Sequence, residues 1–165
     1  MPALQSGWFI PHVTVYMFSY SVLGCAFIIA VAGCFRHRER YLTTADSLVR
    51  TGVALLTFGM LTGAVWAKAA WGNYWNWDPK ETWALITMLL YAVVCHLHFL
   101  PKLYGAYTFS VATVFVFASV LMTYFGVNFF LSGLHSYGIT DSHPGFYAIF
   151  AASVSYTHLR AHETG

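Results

Sequence analysis

The sequence predicts an all-α, polytopic transmembrane helical bundle with four full spans and a truncated fifth. Three observations carry that prediction. Hydrophobic residues make up 58% of the 165 positions, mean hydropathy is +0.60 and only 8% of residues are charged, where soluble domains carry roughly 25%. Long apolar runs recur along the chain, divided by short clusters of Arg, Lys, Asp and Glu. Five of the six tryptophans are gathered from Trp66 to Trp83, in and on either side of one connection between apolar runs. A net charge of +2, with no Lys/Arg run interleaved with aromatics, argues against a nucleic-acid partner.

The first span opens at Pro11, because a first-turn proline gives up no intrahelical hydrogen bond. It runs to Cys34 without a charged residue. About 24 residues at 1.5 Å each give about 36 Å, enough to cross roughly 30 Å of hydrocarbon with tilt. Arg36-His-Arg-Glu-Arg40 stops it. The mixed stretch Tyr41 to Arg50 reads as an interfacial segment. Thr51 to Ala70 is the second span, Thr82 to Leu100 the third and Tyr104 to Leu131 the fourth. Gly145 to Val154 begins a fifth, but such a length is too short to cross. Cys25, Cys34 and Cys95 form no C-x-x-C pair and read as buried free thiols.

Charge orients the spans. Arg36, Arg38, Arg40, Arg50 and Lys102 lie in the first and third connections, which the positive-inside bias assigns to the cytoplasm; Lys68 and Lys80 count in the other direction and are outnumbered. The N-terminus, the tryptophan loop and the loop from Ser132 to Pro144 then share the outer face.

On that face the histidines form a pattern. His12 stands at the mouth of span one and His135 in the loop after span four, on either side of the tryptophan loop. Neutral imidazoles are ligands for haem iron, and two of them on opposite porphyrin faces make it six-coordinate. The alternative is a pair of interfacial histidines with local hydrogen bonds. His96 falls in the inner half of span three, where an ionisable side chain is a functional candidate by default; its alternative is a helix-to-helix hydrogen bond. His98, roughly 200° further around a continuous helix, is expected on the opposite face and at the inner headgroups.

Within Trp71-Gly-Asn-Tyr-Trp-Asn-Trp-Asp-Pro-Lys-Glu-Thr-Trp83, the rings of Trp71, Trp75 and Trp77 suit stacking on a large flat ligand, or anchoring at headgroup level. Asp78 before Pro79 reads as a turn or N-cap for span three, with Glu81 favourable in its first turn. Lys80 suits an anionic ligand group or a lipid phosphate.

This stretch resembles the WWD signature of haem-handling proteins, in the CcsA/ResC branch of system II cytochrome c biogenesis. The resemblance extends to Phe9-Ile-Pro-His12, Phe125-Gly-Val-Asn128 and Gly133-Leu-His-Ser-Tyr137, and covers about residues 7–137. It implies that haem b is exported, held over the WWD surface and presented to apocytochrome c. There the cysteines of a C-x-x-C-H motif add to the haem vinyl groups. By resemblance, His12 and His135 are the outer axial ligands, His96 is the transmembrane haem ligand, and Trp71, Trp75, Trp77 and Asp78 belong to the cofactor-binding loop. The second transmembrane ligand comes from a ResB-like partner subunit, or from the fused region in single-chain versions. This sequence offers no candidate for it, which implies that the chain acts with a partner in a cytochrome c haem lyase complex of the bacterial inner membrane. Residues 1–154 then form a partial cytochrome c assembly domain. The polar tail 155–165, with His158 and His162, reads as foreign to the family. Two other readings stay open at this level: haem delivery to a separate carrier without ligation, and a bis-His membrane electron-transfer cytochrome.

Overall fold

Each helix starts and stops where local chemistry dictates. The computed structural model describes residues 2–36, 39–101 and 105–131; His135, the short apolar segment 145–154 and the tail 155–165 lie outside the described residues. The elements are α1 (Phe9–Arg36), α2 (Glu39–Trp71), α3 (Pro79–His96) and α4 (Ala106–Leu121), with a π-helical turn (Met122–Gly126) leading into α5 (Val127–Phe130). No strand occurs among the described residues. The four long helical segments are each long and apolar enough to cross a membrane, and the protein is a multi-pass membrane protein.

Helix boundaries differ from the sequence-based expectation in α1, α2 and α3; α1 opens at Phe9, with Pro11 inside its first turn, and runs to Arg36. Tyr41 to Arg50 is not a separate segment but the beginning of α2, with Leu42, Ala45 and Val49 buried in the core. The apolar residues recur at helical spacing and so seat this polar-looking stretch against its neighbours. Asp46 and Arg50, one turn apart on its outer side, pair at 2.7 Å. α2 is consequently 33 residues long, about 50 Å and well beyond a bilayer core. α3, for its part, begins three residues earlier than expected because its cap recruits Pro79, and it gives way after His96 to a 3-10 turn, Leu97–Phe99.

α1 and α2 run antiparallel and approach closely, which apolar surface alone cannot drive in lipid; small residues at the crossing allow it. Gly52 faces Leu23 and Gly59 faces Tyr16, so tightly that a Cβ at either glycine would lie 2.5 Å from Leu23 Cδ2 or 2.7 Å from Tyr16 Cδ2. Ser19 Oγ donates to the Gly52 carbonyl at 2.8 Å across the same interface. α4 packs on α1 through Phe117 and Phe27, and the π-helical turn that follows it meets α3 through a buried Thr87–Thr123 hydroxyl pair at 3.0 Å. The apolar core (Leu23, Ala26, Val49, Tyr91, Val94, Phe109) lies towards the arginine-bearing end of the bundle. Phe18, Phe58, Val93 and Phe115 face outward, as suits a lipid-facing surface.

The cysteines are free, as expected, but not buried: Cys25 is exposed and Cys34 and Cys95 are half-buried. An apolar run in a spanning helix includes a lipid-facing side, so apolar neighbours in sequence do not imply burial within the protein.

Candidate functional site

The site grows from the ends of helices. Phe9, Trp66, Trp71, Pro79 and Asn128 mark one end of the bundle, opposite the Arg36–Arg40 connection. α2 ends at Trp71. Gly72 follows with φ +84, a left-handed conformation that glycine adopts without a Cβ clash, and its N–H caps the Lys68 carbonyl at 3.1 Å. Lys68 Nζ folds back to the Gly72 carbonyl at 2.7 Å and lies 5.5 Å from the Tyr74 ring centroid.

The loop then closes on itself. Asp78 caps α3 by accepting from the Lys80 N–H at 2.9 Å. Glu81, three residues on, accepts from the Asp78 N–H at 3.3 Å and from the Asn76 N–H at 2.8 Å. This is a capping box extended by one residue into the loop. It gives Asp78 and Glu81 the structural roles that the sequence suggested for them. Lys80 reaches across to α5, donating to Asn128 Oδ1 at 2.8 Å, while Asn128 Nδ2 donates to the Tyr124 carbonyl at 2.6 Å. The loop is thereby tied to the Phe125-Gly-Val-Asn128 motif.

His12 sits in the first turn of α1, half-buried, and its seat is made by residues outside the loop. Its ring stacks on Trp66 at 5.4 Å between centroids and 19° between planes, and meets Tyr16 edge-on at 4.9 Å. Gly63 lies beneath it: a Cβ there would come 2.5 Å from Cε1 and 2.7 Å from Nδ1. His12 Nδ1 lies 2.9 Å from the Gly59 carbonyl. A carbonyl only accepts, so Nδ1 carries a proton; the neutral tautomer that fits this bond is the one with its lone pair on Nε2. Hydrogen bonding of one ring nitrogen to a backbone carbonyl is how ligating histidines are oriented.

Trp66 is only 1% exposed and forms the hub: it also meets Phe9 at 5.5 Å and Trp71 at 4.7 Å. His12 and Trp71 therefore belong to one aromatic cluster. Trp75 and Trp77 make another, edge-to-face at 5.9 Å. Trp77 is 70% exposed and holds φ 57, a left-handed conformation costly for a bulky residue.

His96 is the last residue of α3, exposed, with Nδ1 at 2.6 Å from the Ala92 carbonyl of its own helix. His98 is not on the opposite face. The helix tightens to a 3-10 turn after His96, which changes the angular step per residue. The two rings end 6.3 Å apart with planes 23° from parallel, and Phe99 stacks beside both.

Sequence reasoning singled out His12, Trp71, Trp75, Trp77, Asp78 and His96, but missed Gly59, Gly63, Trp66 and Tyr16 as the seat of His12. The Gly59-x-x-x-Gly63 spacing was the available signal, since that pattern marks close helix approach in membranes.

A sequence model of the cytochrome C assembly protein family matches residues 1–135. Protein NrfI of Wolinella succinogenes is 41% identical over 157 residues, covering 87% of this chain and 17% of that protein. The cytochrome c biogenesis protein CcsA of Chlamydomonas reinhardtii is 40% identical over 151 residues, covering 84% of the chain and 42% of CcsA. CcsA of Nymphaea alba is 36% identical, with 84% and 57% covered. The chain thus spans about half the length of the CcsA relatives and a smaller part of NrfI. Its helical architecture, its tryptophan loop and this similarity lead to one conclusion: the chain belongs to the cytochrome c assembly family.

Proposed function

We propose that the loop end of this bundle binds haem b as its substrate and presents it to apocytochrome c for thioether attachment. The loop would face the outer side of a bacterial cytoplasmic membrane. His12 and His135 serve as axial ligands, and Trp71, Trp75 and Trp77 line the porphyrin. Asp78 holds the loop shape that sets those rings. His96, at the other end, receives haem from the inner side with a ResB-like partner. The observation that carries this reading is the His12 seat, with Nδ1–H bound to the Gly59 carbonyl and the ring clamped between Trp66 and Tyr16. A neutral, pre-oriented imidazole with its lone pair on Nε2 fits an iron ligand.

In this reading the chain's own residues bind, orient and exclude water. The reduced haem and the thiols of the C-x-x-C-H motif supply the bond-forming chemistry. Positive-inside bias supports the orientation, because Arg36, Arg40 and Arg50 lie at the end away from the loop.

The test is His12→Gly and His135→Gly in the purified full chain with a ResB-like subunit. Each replacement should convert a six-coordinate haem spectrum to a five-coordinate one, and exogenous imidazole should restore it. Unchanged wild-type spectra in both variants, without imidazole, would remove the ligand assignment.

A further inference from the structure

The tryptophan loop contains two hydrogen-bond donors that its own network does not use. Trp75 Nε1 and Asn76 Nδ2 are both buried and have no hydrogen-bond partner among the described residues. Buried polar groups are nearly always paired, and an exception asks for an explanation. Asn76 is otherwise fully engaged: its N–H donates to Glu81 at 2.8 Å and its Oδ1 accepts from Asn73 Nδ2 at 3.2 Å. The loop's acids cannot serve these donors from their present positions. Glu81 Oε2 accepts two backbone N–H groups, and Asp78 Oδ1 caps Lys80. What the loop has left over is a pair of donors, adjacent in sequence, and the group such a pair selects is an anionic oxygen.

We propose that Trp75 Nε1–H and Asn76 Nδ2–H are the carboxylate-binding pair of the loop and take the propionate groups of a tetrapyrrole. This rests on the reading of the loop end as a haem site. Because both atoms are shielded from solvent, an incoming carboxylate has to displace part of the loop. Trp77 is the residue suited to move. It is exposed, its ring meets Trp75 edge-on at 5.9 Å, and its backbone sits at φ 57, where release relieves local strain. The capping box holds Asp78 and Glu81 in place on one side of it, so movement is confined to the few residues between Gly72 and Asp78.

The experiment uses the full chain in nanodiscs of zwitterionic lipid. Metal-free protoporphyrin IX and its dimethyl ester are titrated by quenching of tryptophan fluorescence. Neither probe carries iron, so the histidines are not required. Hydrogen bonds to an ionised carboxylate are about twice as strong as neutral ones, so the free acid should bind wild type at least about tenfold more tightly than the ester. Trp75→Phe and Asn76→Ala should each bring that ratio to within about twofold of unity, while far-UV circular dichroism and the gel-filtration profile stay those of wild type as the check on folding. A ratio unchanged in both variants overturns the proposal, and is the result expected if a lipid phosphate is the acceptor. A ratio that collapses in the variants, together with a wild-type haem spectrum that is never six-coordinate, supports the donor pair and removes the axial-ligand reading. Failure of wild type to bind either porphyrin overturns both.

Discussion

His12 and His96 are both candidate iron ligands, and the protein holds them in opposite ways. His12 is gripped by a second helix: its hydrogen bond goes to Gly59 on α2, its ring lies on Trp66, and Gly63 makes room beneath it. Among the described residues His96 is hydrogen-bonded within its own helix, to Ala92, and it stands exposed at the end of α3 beside His98 and Phe99. One imidazole is fixed by tertiary packing before any ligand arrives. The other sits at a helix end with its partners on a single turn. A ligand held by tertiary structure suits a site where geometry must be kept. A ligand at an exposed helix end suits a site where something is handed on.

The largest way to break this contrast is to fill the space under His12. A methyl at position 63 would overlap Cε1 and Nδ1, at 2.5 Å and 2.7 Å. Gly63→Ala should therefore force the ring off its stack and destabilise the bundle by about 1–3 kcal/mol, the usual range for overpacking. Gly24→Ala is the matched control, since nothing lies within 4 Å of its added methyl. There the helix should gain about 0.5–1 kcal/mol. Denaturant titration in bicelles reads both. Equal effects would mean that Gly63 is no seat.

Next in size is the cap that holds the loop. Asp78→Ala removes the acceptor of the Lys80 N–H and should cost about 0.5–2 kcal/mol. The loss should appear as faster amide exchange at Lys80 and in the first turn of α3, with α1 and α2 unaffected. Uniform exchange across all helices would show that the cap is not local.

Much of this arrangement could be read from the chain. Span positions followed from uninterrupted apolar runs, and the α3 cap followed from Asp78-Pro-Lys-Glu81, because both signals are local in sequence. The seat of His12 was not legible in the same way. It depends on α1 and α2 pairing in one register that brings Gly59 and Gly63 under the ring, and a register between helices is a tertiary fact. The position of His98 was not legible for a different reason: a constant 100° step does not hold past His96, where α3 gives way to a 3-10 turn. Likewise, the unpaired donors of Trp75 and Asn76 emerge only after the other loop groups are matched to their partners.

A smaller effect is expected at Trp77, where backbone and side chain oppose one another. Glycine relieves the left-handed φ, and loses the exposed ring and its contact with Trp75. Alanine loses the same ring while keeping the strain. Trp77→Gly should thus be more stable than Trp77→Ala by about 0.5–1 kcal/mol, the conformational difference between the two residues at such a position. If alanine is the more stable replacement, the loop does not hold position 77 in the left-handed region.

The smallest effect on the fold belongs to the exposed end of α3, and there the contrast with His12 is sharpest. His96 and His98 each bond to a carbonyl within one turn of their own chain, at 2.6 Å and 2.9 Å. Removing either ring should change stability by less than about 0.5 kcal/mol, as for most exposed positions. Function should respond differently. The rings lie 6.3 Å apart and nearly parallel, with Phe99 against both. If they form one receiving surface, His96→Ala and His98→Ala should each lower the haem recovered with the purified complex. The double variant should lose little more than the stronger single, because residues acting as a unit are not additive. A His98→Ala variant with full haem content would separate the two rings and leave His96 to act alone. Losses that simply add would point instead to two independent binding positions at this end.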